Sequence, residues 1–210
     1  MVKKRQLLVV ATANKKKFKE IKAILGDLPL QIKSLLDFKK KPEIVEDGQT
    51  FLENAQRKAK ITSSFYNCLS LGEDSGLEVE ALGGKPGVFS SRFAGKQSTD
   101  RENIKKLLRE LEGLPKYKRR AKFVSQVVLA CKGKILVSFK GSLAGFITFQ
   151  PQGRFGFGYD PVFFLSEYKK TTAQLKPSLK NKISHRYKAL SKLRKFLKDY
   201  LVKQAGRGEI

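Results

Sequence analysis

The apolar positions of this chain follow two periods, and each predicts its own kind of element. Residues 7–10 (LLVV) form a short unbroken apolar run between Gln6 and the small polar group at 12–14, the pattern of a buried strand. Phe18, Ile21, Ile24 and Leu25 then recur at helical spacing, with Lys and Glu filling the other face and Gly26 placed to stop the helix. A strand, a small-residue turn and a helix in succession open an α/β protein.

Thr50 and Glu53 have capping-box spacing, and Phe51, Leu52, Ala55, Ala59 and Ile61 predict a second helix over 51–64 with Arg57, Lys58 and Lys60 on its outer face. Residues 69–82 read as β broken at Asp74, Ser75 and Gly76, so a bent hairpin is expected before the GGKPG loop. Thr99 and Glu102 repeat the capping-box spacing ahead of Ile104, Leu107, Leu108 and Leu111, a third helix ending near Gly113 and Pro115. Residues 123–131 and 135–140, separated by Lys132, Gly133 and Lys134, predict an antiparallel hairpin, with a further strand over 145–149. The mixed glycines and aromatics of QGRFGFGYDPVFF suit a loop that brings its backbone close to a ligand. Tyr187, Leu190, Leu193, Leu197 and Leu201 share one face of a closing helix over about 184–203, with Ser184 as N-cap and 204–210 as a mobile tail. No repeat or linker divides the sequence, so 1–210 reads as a single domain.

Charge narrows the class of partner. Lys and Arg number 44 against 19 Asp and Glu, a formal +25, which calls for something anionic: nucleic acid, an anionic membrane or a phosphorylated metabolite. With two cysteines, no C-x-x-C pair and one histidine, neither a disulfide framework nor a Cys/His zinc site can be assembled. The basic N-terminus has too short an apolar run for a signal peptide, and nothing approaches the roughly 20 apolar residues that span a bilayer. A cytoplasmic protein with no membrane association is expected.

Several segments could carry chemistry. In ATANKKKFKE a strand turns into a helix that begins with Lys15, Lys16 and Lys17, where unused backbone N–H groups and the helix dipole favour phosphate. The same lysines also fit a solvated face, and the spacing is not that of a P-loop. Glu43, Glu46 and Asp47 concentrate carboxylates before the second helix, and Glu73 and Asp74 place two more at the end of an apolar run. Such oxygen ligands suit Mg²⁺, although for the acidic residues before the helix favourable charge at its N-terminus is, without further context, the simpler explanation. In FGFGYDP, Gly156 and Gly158 permit a close approach while Phe157 and Tyr159 offer flat faces to a purine or to the core. KNKISHRYKAL adds Lys180, His185 and Arg186 as hydrogen-bond donors to an oxygen-rich ligand.

Taken in order, ATANKKKFKEI, TFLENAQRKA, EDSGLEVEALGGKPGVFSSRFAG, GFGYDPVF and KNKISHRYKAL resemble the inosine triphosphate pyrophosphatase family, the XTP/dITP diphosphatases, from about residue 7 to 193. The resemblance implies a mixed α/β fold, a long curved sheet with flanking helices, two lobes and a central active-site cleft, commonly in a homodimer. It implies Mg²⁺-assisted hydrolysis of non-standard purine nucleoside triphosphates (ITP, dITP, XTP) to monophosphate and pyrophosphate, cleansing the nucleotide pool. Carried over by motif, Thr12, Ala13, Asn14, Lys15, Lys16 and Lys17 contact phosphate, Asp74 binds metal and acts as base, and Ser75 touches substrate. The metal-binding glutamate falls most naturally on Glu46, with Glu43, Asp47 and Glu73 left as the alternatives. Phe157, Gly158, Tyr159 and Asp160 form the base pocket, on which Lys180, His185 and Arg186 close. Two positions depart from the family pattern: Ala13 stands where glycine is usual, and Glu73-Asp74 where Asp-Asp is usual.

A nucleic-acid-binding protein is the rival class, supported by the overall charge and by ten Lys/Arg against only Asp199 over 180–207. No helix-turn-helix, RRM-like or zinc pattern accompanies that charge, so weak nonspecific binding at low salt is expected rather than a specific complex. A Maf-like nucleotide pyrophosphatase would keep the chemistry but not the SHR and FGYD motifs.

Overall fold

The computed structural model describes residues 5–206. The opening follows the hydrophobic pattern: β1 (Gln6–Val10) runs through a short turn into α1 (Lys15–Leu25), and β2 (Leu30–Ser34) returns beside β1 in parallel. After an irregular segment come α2 (Phe51–Phe65), β3 (Leu69–Val79), α3 (Asp100–Glu110), β4 (Arg120–Cys131) and β5 (Lys134–Ile147). Two short strands, β6 (Phe163–Leu165) and β7 (Lys170–Thr171), precede α4 (Pro177–Ile183) and α5 (His185–Gly206). The seven strands are ordered β2-β1-β3-β4-β5-β6-β7, parallel at β1/β2 and β1/β3 and antiparallel at β5/β6 and β6/β7, so the fold is mixed α/β.

The chain divides into two compact units, and β3, β4 and β5 each contribute residues to both. The first unit takes its described residues from Met1–Asp74, Gln126–Gly141 and Arg186–Ile210. Alternate residues of β4 go to two different cores there: Val127 and Leu129 pack with α1 and α5, whereas Val128 and Ala130 pack with Ala55 and Ala59 of α2. Burial on both faces explains why residues 127–131 of this strand (VVLAC) read as an unbroken apolar run. The second unit, Ser75–Ser125 with Ser142–His185, has its own core of Leu77, Val79, Leu107, Leu111, Phe123, Ile147, Val162 and Phe163.

Several expectations need correction. Residues 69–82 do not fold as a bent hairpin: β3 passes straight through Asp74, Ser75 and Gly76, and a 3₁₀ turn, Glu80–Leu82, follows it. Asp74 is 7% exposed and finds its partners inside the protein, so nothing forces the polar triplet outward. Likewise 135–140 and 145–147 are one strand, β5, which ends at Ile147 short of the expected 149 and whose Gly145 lets the Phe163 ring and the Phe164 carbonyl approach instead of breaking the ladder. The expected hairpin at 132–134 forms with a two-residue turn in which Lys132 and Gly133 have φ of 48° and 79°, the sense that matches strand twist. The last helix keeps Leu190, Leu193, Leu197 and Leu201 buried and extends to Gly206, three residues past the expected end at 203. The remainder of the expected tail, 207–210, lies outside the described residues. No helix among the described residues is long and apolar enough to cross a membrane.

Gly72 fixes how closely α2 lies on β3. A Cβ there would fall 2.0 Å from the Ala55 carbonyl oxygen and 2.7 Å from the Ala59 nitrogen, both backbone atoms that cannot rotate away. Gly72→Ala is therefore expected to destabilise the protein by roughly 2–3 kcal/mol, seen in a thermal melt as a Tm about 5–10 °C lower. An unchanged Tm would contradict this packing.

Candidate active site

In the first unit, acidic and basic side chains gather around the middle of β3. Because successive strand residues face opposite sides, Glu73 and Asp74 diverge although they are neighbours in sequence. Asp74 meets α2: its Oδ2 accepts from Asn54 Nδ2 at 3.2 Å and its Oδ1 from Lys58 Nζ at 3.2 Å. The same Lys58 ammonium lies 2.6 Å from Glu46 Oε2, so Asp74 and Glu46 converge on one cationic point.

The segment carrying Glu46 has no regular structure, yet it is tethered. Asn54 Oδ1 accepts the Gly48 N–H at 2.8 Å, Glu53 accepts that of Gln49 at 2.8 Å, and the Tyr66 hydroxyl donates to the Lys40 carbonyl at 2.7 Å. Asn54 thus holds the Glu46 segment with its oxygen and Asp74 with its nitrogen. Asp47 is paired with Arg57, and Glu43 is exposed. Burial pushes the Asp74 carboxyl above the usual aspartate value; Lys58 and Lys17 pull it back without cancelling, while Glu73 and Glu46 push it further up. Burial alone would lower the Lys58 ammonium, but Asp74 and then Glu46 outweigh it and hold it above the ordinary lysine value.

Glu73 faces a different set. Its Oε2 is 3.1 Å from Lys17 Nζ, and its Oε1 takes Arg186 Nη2 at 3.1 Å. Arg186 Nη1 is held by Glu20 Oε2 at 2.5 Å. At the start of α1, Asn14 is the N-cap and its side chain accepts the Lys16 and Lys17 N–H groups, while Thr12 Oγ1 accepts the Asn14 N–H. Ala13, Asn14, Lys15 and Lys16 are exposed. The helix start therefore presents lysine ammonium groups, with two of its backbone donors already used.

In the second unit, Asp160 organises the glycine-aromatic loop. Its Oδ2 accepts the Phe157 N–H at 2.8 Å and pairs with Lys180, and its Oδ1 accepts from Thr172 Oγ1 at 2.8 Å. Gly156 and Gly158 have φ of 79° and 59°, and a Cβ on Gly156 would strike Asp160 Oδ2. Tyr159 is buried, its hydroxyl donating to the Ser90 carbonyl at 2.9 Å, and Gly158 N–H donates to Asp100 Oδ2 at 2.8 Å. Phe157 is half-buried, with Lys180 Nζ 4.9 Å from its ring centroid. His185 stacks on Phe123, rings 4.8 Å apart, and Ser75 is half-buried.

This arrangement occurs in a chain with many relatives. Residues 8–196 match the model of the Ham1 family. The chain belongs to the Ham1 family. A dITP/XTP pyrophosphatase of Geobacter sulfurreducens is 47% identical over 92% of this chain and 96% of its own length, and one of Shouchella clausii is 46% identical over 89% and 94%. Among solved structures, a HAM1 protein from Coxiella burnetii superposes with a TM-score of 0.84 at 38% identity, covering 92% of this chain and 99% of that one. The Ham1 match thus reaches from β1 into α5, and this chain is an enzyme of that family.

Sequence reasoning missed part of this site. Lys58 was expected on the outer face of α2 but is 5% exposed, because it shares a stripe with Asn54, Ala55 and Ala59. A polar pair at i and i+4 on an alanine-lined stripe was the available signal. Arg186, expected to reach the purine, is 1% exposed with its guanidinium on Glu20 and Glu73, a position that nothing in SHR betrays. Cys68 and Cys131 are both free, and burial pushes the Cys68 thiol up to about 11, so it is protonated at neutral pH.

Proposed function

We propose that this Ham1 enzyme hydrolyses non-standard purine nucleoside triphosphates (ITP, dITP, XTP) to the monophosphate and pyrophosphate, assisted by Mg²⁺, with Asp74 as base. The observation that carries the reading is the convergence of Asp74 and Glu46 on one cationic point, in a chain whose relatives are named dITP/XTP pyrophosphatases. Two converging carboxylates suit Mg²⁺, which takes one or two and completes its octahedron with water and phosphate oxygens. No group of three or more His, Cys, Asp or Glu side chains among the described residues makes an all-protein cage, so the fit is to this open kind of site.

When bound, the metal would neutralise triphosphate charge and acidify a water. As base, Asp74 takes the proton of the attacking water. Thr12, Ala13, Asn14, Lys15, Lys16 and Lys17 hold the phosphates, and Ser75 adjoins the reacting group. Phe157 stacks on the purine, in a loop whose shape is set by Gly158, Tyr159, Asp160 and Lys180. His185 supplies a donor to a 6-oxo group, and a 6-amino purine would leave donors facing each other, at about 1–3 kcal/mol. The reading carries with it a cytoplasmic homodimer acting on free nucleotides. Product analysis by phosphorus NMR with ITP and Mg²⁺ tests it: IMP and pyrophosphate are expected, and release of orthophosphate with IDP would overturn it.

A further inference from the structure

We infer that the outward faces of α1 and α5 form a docking surface for duplex nucleic acid, held through its phosphate backbone without reading of the bases. Both helices pack on the same face of the sheet: Ile21 and Leu25 of α1 share one core with Leu193 and Leu197 of α5 and with Leu129 of β4. Their polar sides therefore look away from the sheet in the same direction. Lys19 and Lys22 are exposed on α1, and Lys188, Lys192, Lys195 and Lys198 are exposed on α5. The four α5 lysines follow one another at i+4, i+3 and i+3, so they share one side of the helix. Their stripe is about 15 Å long, the axial length of roughly four base pairs.

Folding alone does not call for this stripe. No acidic residue occurs between His185 and Asp199, so lysines three and four apart meet like charges, which weakens a helix. Lys188 lies in the first turn of α5, where the helix dipole disfavours a cation. Two carboxylates from the α1 side, Asp27 and Glu20, pair with Arg194 and Arg186. A row of phosphates relieves the repulsion along the stripe and gains the entropy of the counter-ions it releases. The same face is poorly suited to a lipid surface, because the leucines of α5 are spent in the core and Val202 is its one exposed large hydrophobic residue among those described. No aromatic residue stands among the described exposed positions of α5, so a single strand finds no stacking platform there. The lysines of α5 take no part in the nucleotide hydrolysis proposed above, and the inference goes beyond that activity.

Fluorescence anisotropy with a labelled DNA duplex of about 20 base pairs, between about 50 and 200 mM salt, tests this on the wild-type protein and two fourfold variants. One carries Lys188→Ala, Lys192→Ala, Lys195→Ala and Lys198→Ala, exposed changes to the residue that most favours a helix. The other removes the same charge from the α2 side of the sheet, with Lys39→Ala, Lys40→Ala, Lys41→Ala and Lys60→Ala; Lys60 lies on α2, and Tyr66 at the end of α2 holds the Lys40 carbonyl. The α5 variant is expected to bind at least about 30-fold more weakly, and its slope of log K against log salt to flatten by about 3–4. The α2-side variant should stay within about threefold of wild type at 100 mM salt, where screening acts over about 10 Å. Equal losses in the two variants would show diffuse charge instead of a docking face and would overturn the inference. So would wild-type affinity in the α5 variant, or wild-type protein that sediments with phosphatidylserine vesicles but does not bind the duplex.

Discussion

Asp74→Asn lowers kcat for ITP by roughly a thousandfold, the loss expected when a general base and metal ligand is neutralised, while the melting curve stays close to that of wild type. The substitution keeps the shape of a side chain that is 7% exposed, and its amide oxygen can still accept from Asn54 or Lys58. Stability is spared because burial already disfavours the charged form of Asp74, and Lys58 retains Glu46 as a counter-ion. Pyrophosphate release and differential scanning fluorimetry on the same preparation check both halves. Activity within tenfold of wild type in a folded variant would remove Asp74 from the chemistry.

Lys58→Met carries the second large effect, and it appears first in stability. Without the ammonium, the Asp74 and Glu46 carboxylates face each other unscreened; loss of a buried partner costs a few kcal/mol, about 2–4 here because Glu46 is partly exposed. The metal-free variant should melt about 5–12 °C below wild type. Mg²⁺ should restore more of that loss than it adds to wild type, because a divalent cation can occupy the point that Lys58 vacates. In the wild-type protein the Lys58 pKa is raised on folding, so its contribution is fully present below the ordinary lysine value of 10.5 and is lost only as pH rises through the raised one. Lowering the pH should stabilise the variant relative to neutral pH, since protonating Asp74 relieves the repulsion. A variant whose Tm matches wild type with and without Mg²⁺ would contradict the shared cation position.

The parts of the fold that were legible are those whose pattern is local. The β1–α1 opening, the capping boxes at Thr50 and Thr99, and the turn at Lys132-Gly133 each carry their period and punctuation within a few residues. β2 (LQIKS) has the length of β1 but not its unbroken apolar run, and β6 and β7 have three and two residues, too few to show a period; these strands exist because neighbouring strands offer them partners. β3 misleads for a different reason. Its polar triplet resembles a turn, and only the presence of Asn54 and Lys58 beneath it permits it to stay extended.

The site divides in the same way. Adjacent carboxylates at 73 and 74 stand out in a chain of net charge +25, but strand alternation sends them to different partners, which spacing alone did not reveal. Glu46 could not be separated from Glu43 and Asp47 in sequence, because what distinguishes it is a lysine arriving from α2. Asp160, Lys180 and Arg186 drew attention as charged groups beside glycines and aromatics. Their charges are largely spent on one another and on Glu20 and Glu73, holding the surfaces in place.

Selectivity at the purine 6-position is the most direct measure of the whole account. With Mg²⁺ and a pyrophosphate-release assay, kcat/KM for ITP should exceed that for ATP by about 5- to 150-fold, as expected when an unmatched 6-amino group must be buried at about 1–3 kcal/mol. Equal kcat/KM for ITP and ATP, or no turnover of ITP, XTP and dITP, would contradict it.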